Sequence, residues 1–508
     1  MSRPLHAITL TALLACTPTT RRTPDDTVVM AIETPMTTGD PRYAVSSYDE
    51  RLGKLVAPGL TSVETPTAEA ELLLAARIDY VDPLTIDITL RDAQFSDGSP
   101  VTADDVARTY QTLLDPKCQA VSSKNFNDRF FGVDAVADKL VRFHLKEPLG
   151  TFITDINIGI ISFHGVPKGE CQPPEIIGAG PYILRELTSY GAKLDANPHS
   201  FLAPKVPHLE IRFVADSSAR LIMLVGGSLD LLQNAARLDL VDEIAQRPRV
   251  VVHTGPSLVL TYLAMNTNNG VLKDLRVREA IALAIDRKTL VDAKLSGRAV
   301  LATGLLPPSH WAYNKDVPHW DRDVARANAL LDEAGYKRGP DGIRLHLVYK
   351  TSADAFRVTI ARLLADQLRD AGIDVDVRAF EFGTFLDDIK KGNFELASMQ
   401  TSPITEPDWY HFYFHSSSIP GPKDPNGGNR WRYKNEEVDR LIEEGRQESD
   451  RAKRIAIYGE IQRLVARDLP VVPLWHEDNV VLSNVDVQGY AISPNGSLFG
   501  LVAARKSW

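Results

Sequence analysis

From Leu84 to Leu90 the chain reads LTIDITL, apolar and polar in strict alternation. That is the period-two pattern of a strand with one buried face. In the segment that follows, RDAQFSDGSPVTADDVARTYQTLLD, the period changes. Asp97-Gly98 is a turn dipeptide, Pro100 ends the extended stretch, and Thr102 with Asp105 three residues on has the form of a capping box. Val106, Tyr110, Leu113 and Leu114 then share one helical face. Asp97 is accounted for by the turn. Asp104 and Asp105 fall in a first helical turn, where negative charge meets the helix dipole. The acidic run is therefore a strand-to-helix junction and not a catalytic or metal-binding cluster. Further on, RLHLVYK (Arg344 to Lys350) reads as a strand and RVTIARLLADQLRDAG (Arg357 to Gly372) as an amphipathic helix closed by glycine. IDVDVRAF (Ile373 to Phe380) is a second strand. A βαβ unit of this kind implies parallel strands in the second half of the chain. The segment Asp274 to Gly297 predicts one helix upstream, and Asn435 to Asp468 predicts two more. No internal repeat or low-complexity tract interrupts this pattern.

Length and composition enlarge the picture. With 508 residues, 44% of them hydrophobic, the chain is too long for a single core and is expected to form at least two lobes. A formal charge of −9 argues against a phosphate-binding surface, so no nucleic-acid partner is expected. The first fifteen residues stand apart: Arg3 and His6 precede the apolar run AITLTALLA, which stops at Cys16 and is too short to span a bilayer. Residues 1–15 are read as a secretory signal. LLAC (Leu13 to Cys16) resembles the lipobox of bacterial lipoproteins, in which the cysteine thiol is diacylated and becomes the mature N-terminus. The plainer reading is an uncleaved start with a chance cysteine. Residues 16–26, rich in Thr, Pro and charge, are expected to be a flexible tether. No later run reaches the ~18 apolar residues of a transmembrane helix, so the body is placed in an extracytoplasmic space, periplasm or cell surface. Two cysteines remain there, Cys118 and Cys171. They either form a disulfide, as an oxidising compartment allows, or stand as two buried thiols.

Five stretches, taken in order, carry a resemblance. They are LRDAQFSDGSPVTADDV, GAGPYILREL (Gly178 to Leu187), LAMNTNNGVLKDLRVREAIALAIDRKTLV (Leu263 to Val291), GNRWRYKNEEVDRLI (Gly428 to Ile442) and DLPVVPLWHED (Asp468 to Asp478). From about Thr27 to the C-terminus the chain resembles the family 5 extracytoplasmic solute-binding proteins, the dipeptide, oligopeptide and nickel receptors of bacterial ABC importers. The resemblance implies an α/β, two-lobe periplasmic-binding-protein fold (type II, cluster C) with an extra subdomain in the first lobe. Lobe I is expected from 27–47, 176–258 and 470–508, the subdomain from 48–175 and lobe II from 259–469. Leu258 to Thr267 and the stretch beginning near Leu469 resemble the crossings between lobes. It also implies a monomer that encloses a peptide or peptide-like solute, docks on an ABC permease, uses no cofactor and touches the membrane only through its N-terminal lipid.

In peptide-binding members of that family, an acid four positions before a proline, in a motif like D-Y-x-D-P, anchors the α-ammonium of the ligand. Here SPITEP aligns the proline with Pro407 and the acid before it with Glu406, but puts Pro403 at the anchoring position. A buried ammonium with no counter-charge costs several kcal/mol. Either Glu406 or Asp408 substitutes from a shifted position, or the ligand has no free α-amine. Trp409 is the preferred aromatic of the cleft, while Tyr410, Phe412 and Tyr413 are assigned mainly to core packing. Gln400, Thr401 and Ser402 are candidate hydrogen-bonding residues before the altered motif, and Asn429 and Arg430 belong to a glycine-flexible loop that resembles a cleft-facing element of the family.

His411 and His415, spaced i, i+4, put two imidazoles on one helical face, as a nickel or metal-chelate receptor could use. With no nearby Cys they are read as surface histidines, and no metal site is assigned. A hydrolase is the rival from another class. The chain has neither H-E-x-x-H nor G-x-S-x-G, so no catalytic residues are assigned. A sensor that presents its solute for signalling would share this fold and cleft.

Overall fold

The computed structural model describes residues 23–121 and 123–507. The signal segment and Cys16 lie outside the described residues, and no described helix is long and apolar enough to cross a membrane. The alternation at residues 84–90 becomes the strand Thr85–Leu90, with Ile86, Ile88 and Leu90 buried. Helix Ala103–Leu114 follows, and its capping box forms as expected: the Thr102 side chain accepts from Asp105 N, and the Asp105 carboxylate accepts from the Thr102 backbone. The helix lies against a four-stranded sheet in the order Ala75–Asp82, Thr85–Leu90, Leu140–Leu145, Phe130–Ala137. Phe95, Val106, Tyr110, Phe143 and Phe152 fill the core between them.

This small sheet is the extra subdomain, and it begins later than residue 48. The helix Ser47–Val56 buries Tyr48, Leu52, Leu55 and Val56 against Met30, Tyr182 and Leu209, the core of the first lobe. Two larger mixed sheets form the lobes. The first has seven strands, drawn from Thr27–Ile32, Tyr182–Thr188, Gly191–Ala196, His208–Phe213, Leu231–Gln233, Val250–Gly255 and Asn479–Asn484. The second has six, from Leu260–Met265, Ala299–Leu301, Leu345–Ser352, Ile373–Phe380, Leu396–Gln400 and Val471–Glu477. Its strands Leu345–Ser352 and Ile373–Phe380 run parallel in full register, with helix Ala355–Asp370 between them in sequence, which is the expected βαβ unit.

The chain crosses outward between Gly255 and Leu260 and returns at Asp478. The return comes later than the expected position near Leu469, because Val471–Glu477 pairs with Leu260–Met265 inside the second sheet before Asn479–Asn484 joins the first. The segment 274–297 is two helices, Leu275–Ala284 and Arg287–Lys294: Asp286 caps the second by accepting from Thr289 N. The expected tether ends early as well. Thr23 is buried and donates its hydroxyl to Asp230, while Lys506 Nζ donates to the Thr23 hydroxyl and the Thr27 carbonyl. Cys118 and Cys171 are joined as a disulfide with Cα atoms 5.3 Å apart. Tyr43 donates to the Cys118 carbonyl and Arg42 to that of Cys171, which ties the bridge to the first lobe.

The GAGP motif has a packing explanation. Gly180 N donates to Val56 O at 2.8 Å, and a methyl group at either Gly178 or Gly180 would overlap backbone carbonyls at the end of helix Ser47–Val56. Only glycine lets this segment lie so close to the helix end.

Candidate functional site

The second sheet delivers the loop 401–408 to the gap between the lobes. Strand Leu396–Gln400 pairs antiparallel with the crossing strand, Gln400 opposite Thr261, and the loop starts where that pairing stops. Gln400 Nε2 donates to Thr261 Oγ1 at 3.0 Å, and Thr261 donates in turn to Glu477 at 3.1 Å. Thr401 is buried, and its hydroxyl accepts from Leu260 N at 3.0 Å. Both side chains thus brace the crossing strands. Ser402 is exposed at the start of the loop.

Beyond Pro403 the loop turns inward, and its two carboxylates meet arginines. Glu406 accepts from Arg454 Nη1 and Nη2, both at 3.0 Å, in a bidentate pair inside the lobe. Burial nevertheless pushes the Glu406 carboxyl up to about 7, against the downward pull of Arg454. Asp408 lies 3.1 Å from Arg446 Nε and 3.4 Å from Arg129 Nη2. Burial raises it to about 6, with Arg446 and Arg129 opposing.

Arg129 belongs to the subdomain, where it also holds Asp155 at 2.6 Å. It therefore spans the gap from Asp155 on one side to Asp408 on the other. More contacts close the same seam: Gly150 N donates to Arg446 O at 2.7 Å, Trp311 N to Thr67 O at 3.0 Å, and Arg451 pairs with Glu69. Nearer the crossings, Arg298 of the second lobe pairs with Asp242 of the first. The lobes are shut against each other. A small cavity lies inside the second lobe among Leu305, Trp320, Tyr410, Phe414 and Val471, with room for about one water.

Of the loop aromatics, Tyr410 and Tyr413 are buried, while Trp409 and Phe412 are half-buried. Trp409 packs edge-on to Phe412 with centroids 5.6 Å apart and tilted against Tyr413 at 6.0 Å. Asn429 is fully buried, donates to the Phe414, His415 and Tyr433 carbonyls and accepts from Tyr433 N. Its amide hydrogens are taken up by carbonyls of its own lobe and the side chain is fully buried, so it staples the glycine loop. Arg430 is half-buried, with Nη1 3.3 Å from Met399 Sδ and Nε buried without a hydrogen-bond partner. The structure thus brings Asp408 to the gap, pairs Glu406 with Arg454 inside the lobe, packs Trp409 on its own helix, leaves Gln400 and Thr401 at the crossings, and sets Asn429 in the lobe interior.

Arg129, Arg446, Arg454 and Tyr458 were not among the expected site residues. One signal was available for two of them. Arg454 and Tyr458 are spaced i, i+4 on the face of helix Arg451–Asp468 that also carries Ile461 and Val465, and a charge within an apolar stripe calls for a buried partner. Arg129 carries no comparable signal, because its partner is 279 residues away.

Comparison with known proteins agrees with this architecture. The family described as bacterial extracellular solute-binding proteins, family 5 Middle, matches residues 70–421. A probable di/tripeptide-binding protein of Pseudomonas aeruginosa is 28% identical over 442 residues, covering 82% of each chain. Protein XP55 of Streptomyces lividans is 31% identical over 432 residues, 81% of this chain and 77% of that one. Among solved structures, NikZ from Campylobacter jejuni in complex with Ni(L-His) superposes with a TM-score of 0.80 at 25% identity, over 95% of this chain and 100% of that one. AppA from Bacillus subtilis in complex with a nonapeptide gives 0.76 at 25% identity, over 95% and 99%. Two sheets, paired crossings, an inserted subdomain and a family match over most of the chain converge on one assignment: this chain belongs to family 5 of the bacterial extracellular solute-binding proteins.

Proposed function

We propose that the protein captures a peptide or peptide-like solute between its lobes and delivers it to a membrane ABC permease, tethered to a bacterial membrane by lipid on Cys16. The observation that carries this reading is the pair of adjacent crossings at 255–260 and 477–479. They leave two rigid sheets free to swing while the loop 401–408 faces Arg129 and Asp155 across the gap. Work is done by closure alone. A solute drives it by its difference in affinity between open and shut forms. The di/tripeptide-binding and oligopeptide-binding relatives place peptides first among solutes.

With Pro403 at the position of the amine anchor and both loop carboxylates committed to arginines, we read the solute as one whose α-amine is blocked or absent. Trp409 stacks on its flat or apolar group. The test begins with mass spectrometry of the small molecule released from gently purified protein. Calorimetry with that molecule and with matched free and N-acetylated peptides follows. N-acetylated peptide should bind at least as well as free peptide, and Trp409→Ala should weaken binding while leaving the melting temperature in place. Tight binding of free peptides that is lost on acetylation would overturn the reading of the amine. Affinity unchanged in Trp409→Ala would remove that side chain from the site.

A further inference from the structure

Beside the gap, where the short aromatic helix Trp409–Phe414 meets helix Glu436–Gln447, three ligand-bearing side chains converge. His411 Nε2 and His415 Nε2 each lie 3.5 Å from the same oxygen of Glu443, Oε1. One ligand atom from each of the three falls within 4.8 Å of the others. The imidazoles are stacked, with centroids 4.7 Å apart and planes inclined by 16°, so both rings present the same edge to the carboxylate. We propose that His411, His415 and Glu443 form a binding site for a divalent d-block cation of the zinc class, bracing the two helices independently of the solute.

The distances suit such an ion. Bond lengths of about 2.0–2.2 Å in a tetrahedron place ligand atoms about 3.3–3.6 Å apart. Two of the separations already have that value, and the third, between the two imidazole nitrogens, lies within 4.8 Å and closes by a small turn of the rings. Two imidazoles with one carboxylate select borderline cations over magnesium or calcium, which take all-oxygen shells.

The surroundings orient the rings. His415 Nδ1 lies 2.7 Å from Ser417 Oγ, which accepts the ring proton once Nε2 turns to the metal, while the 3.1 Å contact from Ser417 N lengthens. Asp439 Oδ1, 3.9 Å from His415 Nε2, adds negative charge behind the pair. Arg446 is the opposing charge, 3.5 Å from Glu443, but its Nε is engaged by Asp408. In zinc hydrolases of the H-E-x-x-H type, the residue after the first histidine is the general-base glutamate. Here it is Phe412, so the geometry assigns a holding site and no hydrolytic one.

The test uses the mature chain without an affinity tag, stripped with chelator and titrated with Zn2+ and, for its visible absorption, Co2+. One equivalent should bind, Co2+ should show the intense bands of a low-coordinate N/O site, and Zn2+ should raise the melting temperature. Glu443→Gln should lower affinity by tenfold or more, and His411→Ala/His415→Ala should abolish binding with the circular dichroism unchanged. Glu443 is partly exposed, so its variant remains informative if the double variant does not fold. Absence of binding at 1 mM Zn2+, or equal affinity in wild type and Glu443→Gln with no loss of the Co2+ bands, would overturn the site.

Discussion

Glu406 shows how one buried side chain couples the site to pH. Its carboxyl is raised from 4.5 to about 7 by burial, so between those values the folded chain holds a proton that the unfolded chain has lost. The stability this contributes is full below about pH 4.5 and is lost as the pH rises through 7. Denaturant midpoints followed from pH 4.5 to 8 should therefore fall less steeply in Glu406→Gln than in wild type. Identical slopes would show that Arg454 keeps the carboxylate ionised throughout. The same residue marks the limit of sequence reading. SPITEP puts Glu406 beside a proline in a loop, but whether its carboxylate is free or paired depends on Arg454, 48 residues away on another helix. Asn429 is a similar case: its sequence neighbourhood marks a flexible loop, and only its carbonyl partners reveal a staple.

Local elements were the most legible, since a capping box or a period-two strand is fixed by contacts within a few residues. The strand at 85–90, the cap at Thr102 and the βαβ unit around Ala355–Asp370 form as their patterns predict. Misreadings fall where a local signal is subtle or a neighbour decides. Asp286 caps a second helix inside what the apolar pattern presents as one. Helix Ser47–Val56 adjoins the subdomain in sequence but packs on the first lobe. Its end also explains the glycines of GAGP, and Gly180→Ala should cost about 2 kcal/mol or more by forcing that end and the 178–182 segment apart. Thermal unfolding measures it, and a melting temperature within a degree of wild type would show that the contact relaxes freely.

For the molecule as a whole, the shut arrangement depends on a few polar contacts across the gap, with Arg129 between Asp155 and Asp408 at their centre. Arg129→Gln should leave each lobe folded and increase the radius of gyration of the solute-free protein in X-ray scattering. An unchanged profile together with unchanged solute release would show that Arg129 does not hold the lobes. Such partners are invisible along the chain: Arg129 meets Asp408 across 279 residues, and nothing local records that distance. By itself the sequence determined the periodic elements, their caps and the family blocks, all of which depend on near neighbours or on a pattern that survives without coordinates. Tertiary structure alone decided which arginines neutralise Glu406 and Asp408, where the chain returns between lobes, and that Glu443 faces His411 and His415. Charge pairing and strand order are settled by proximity in space, and only the folded chain supplies it.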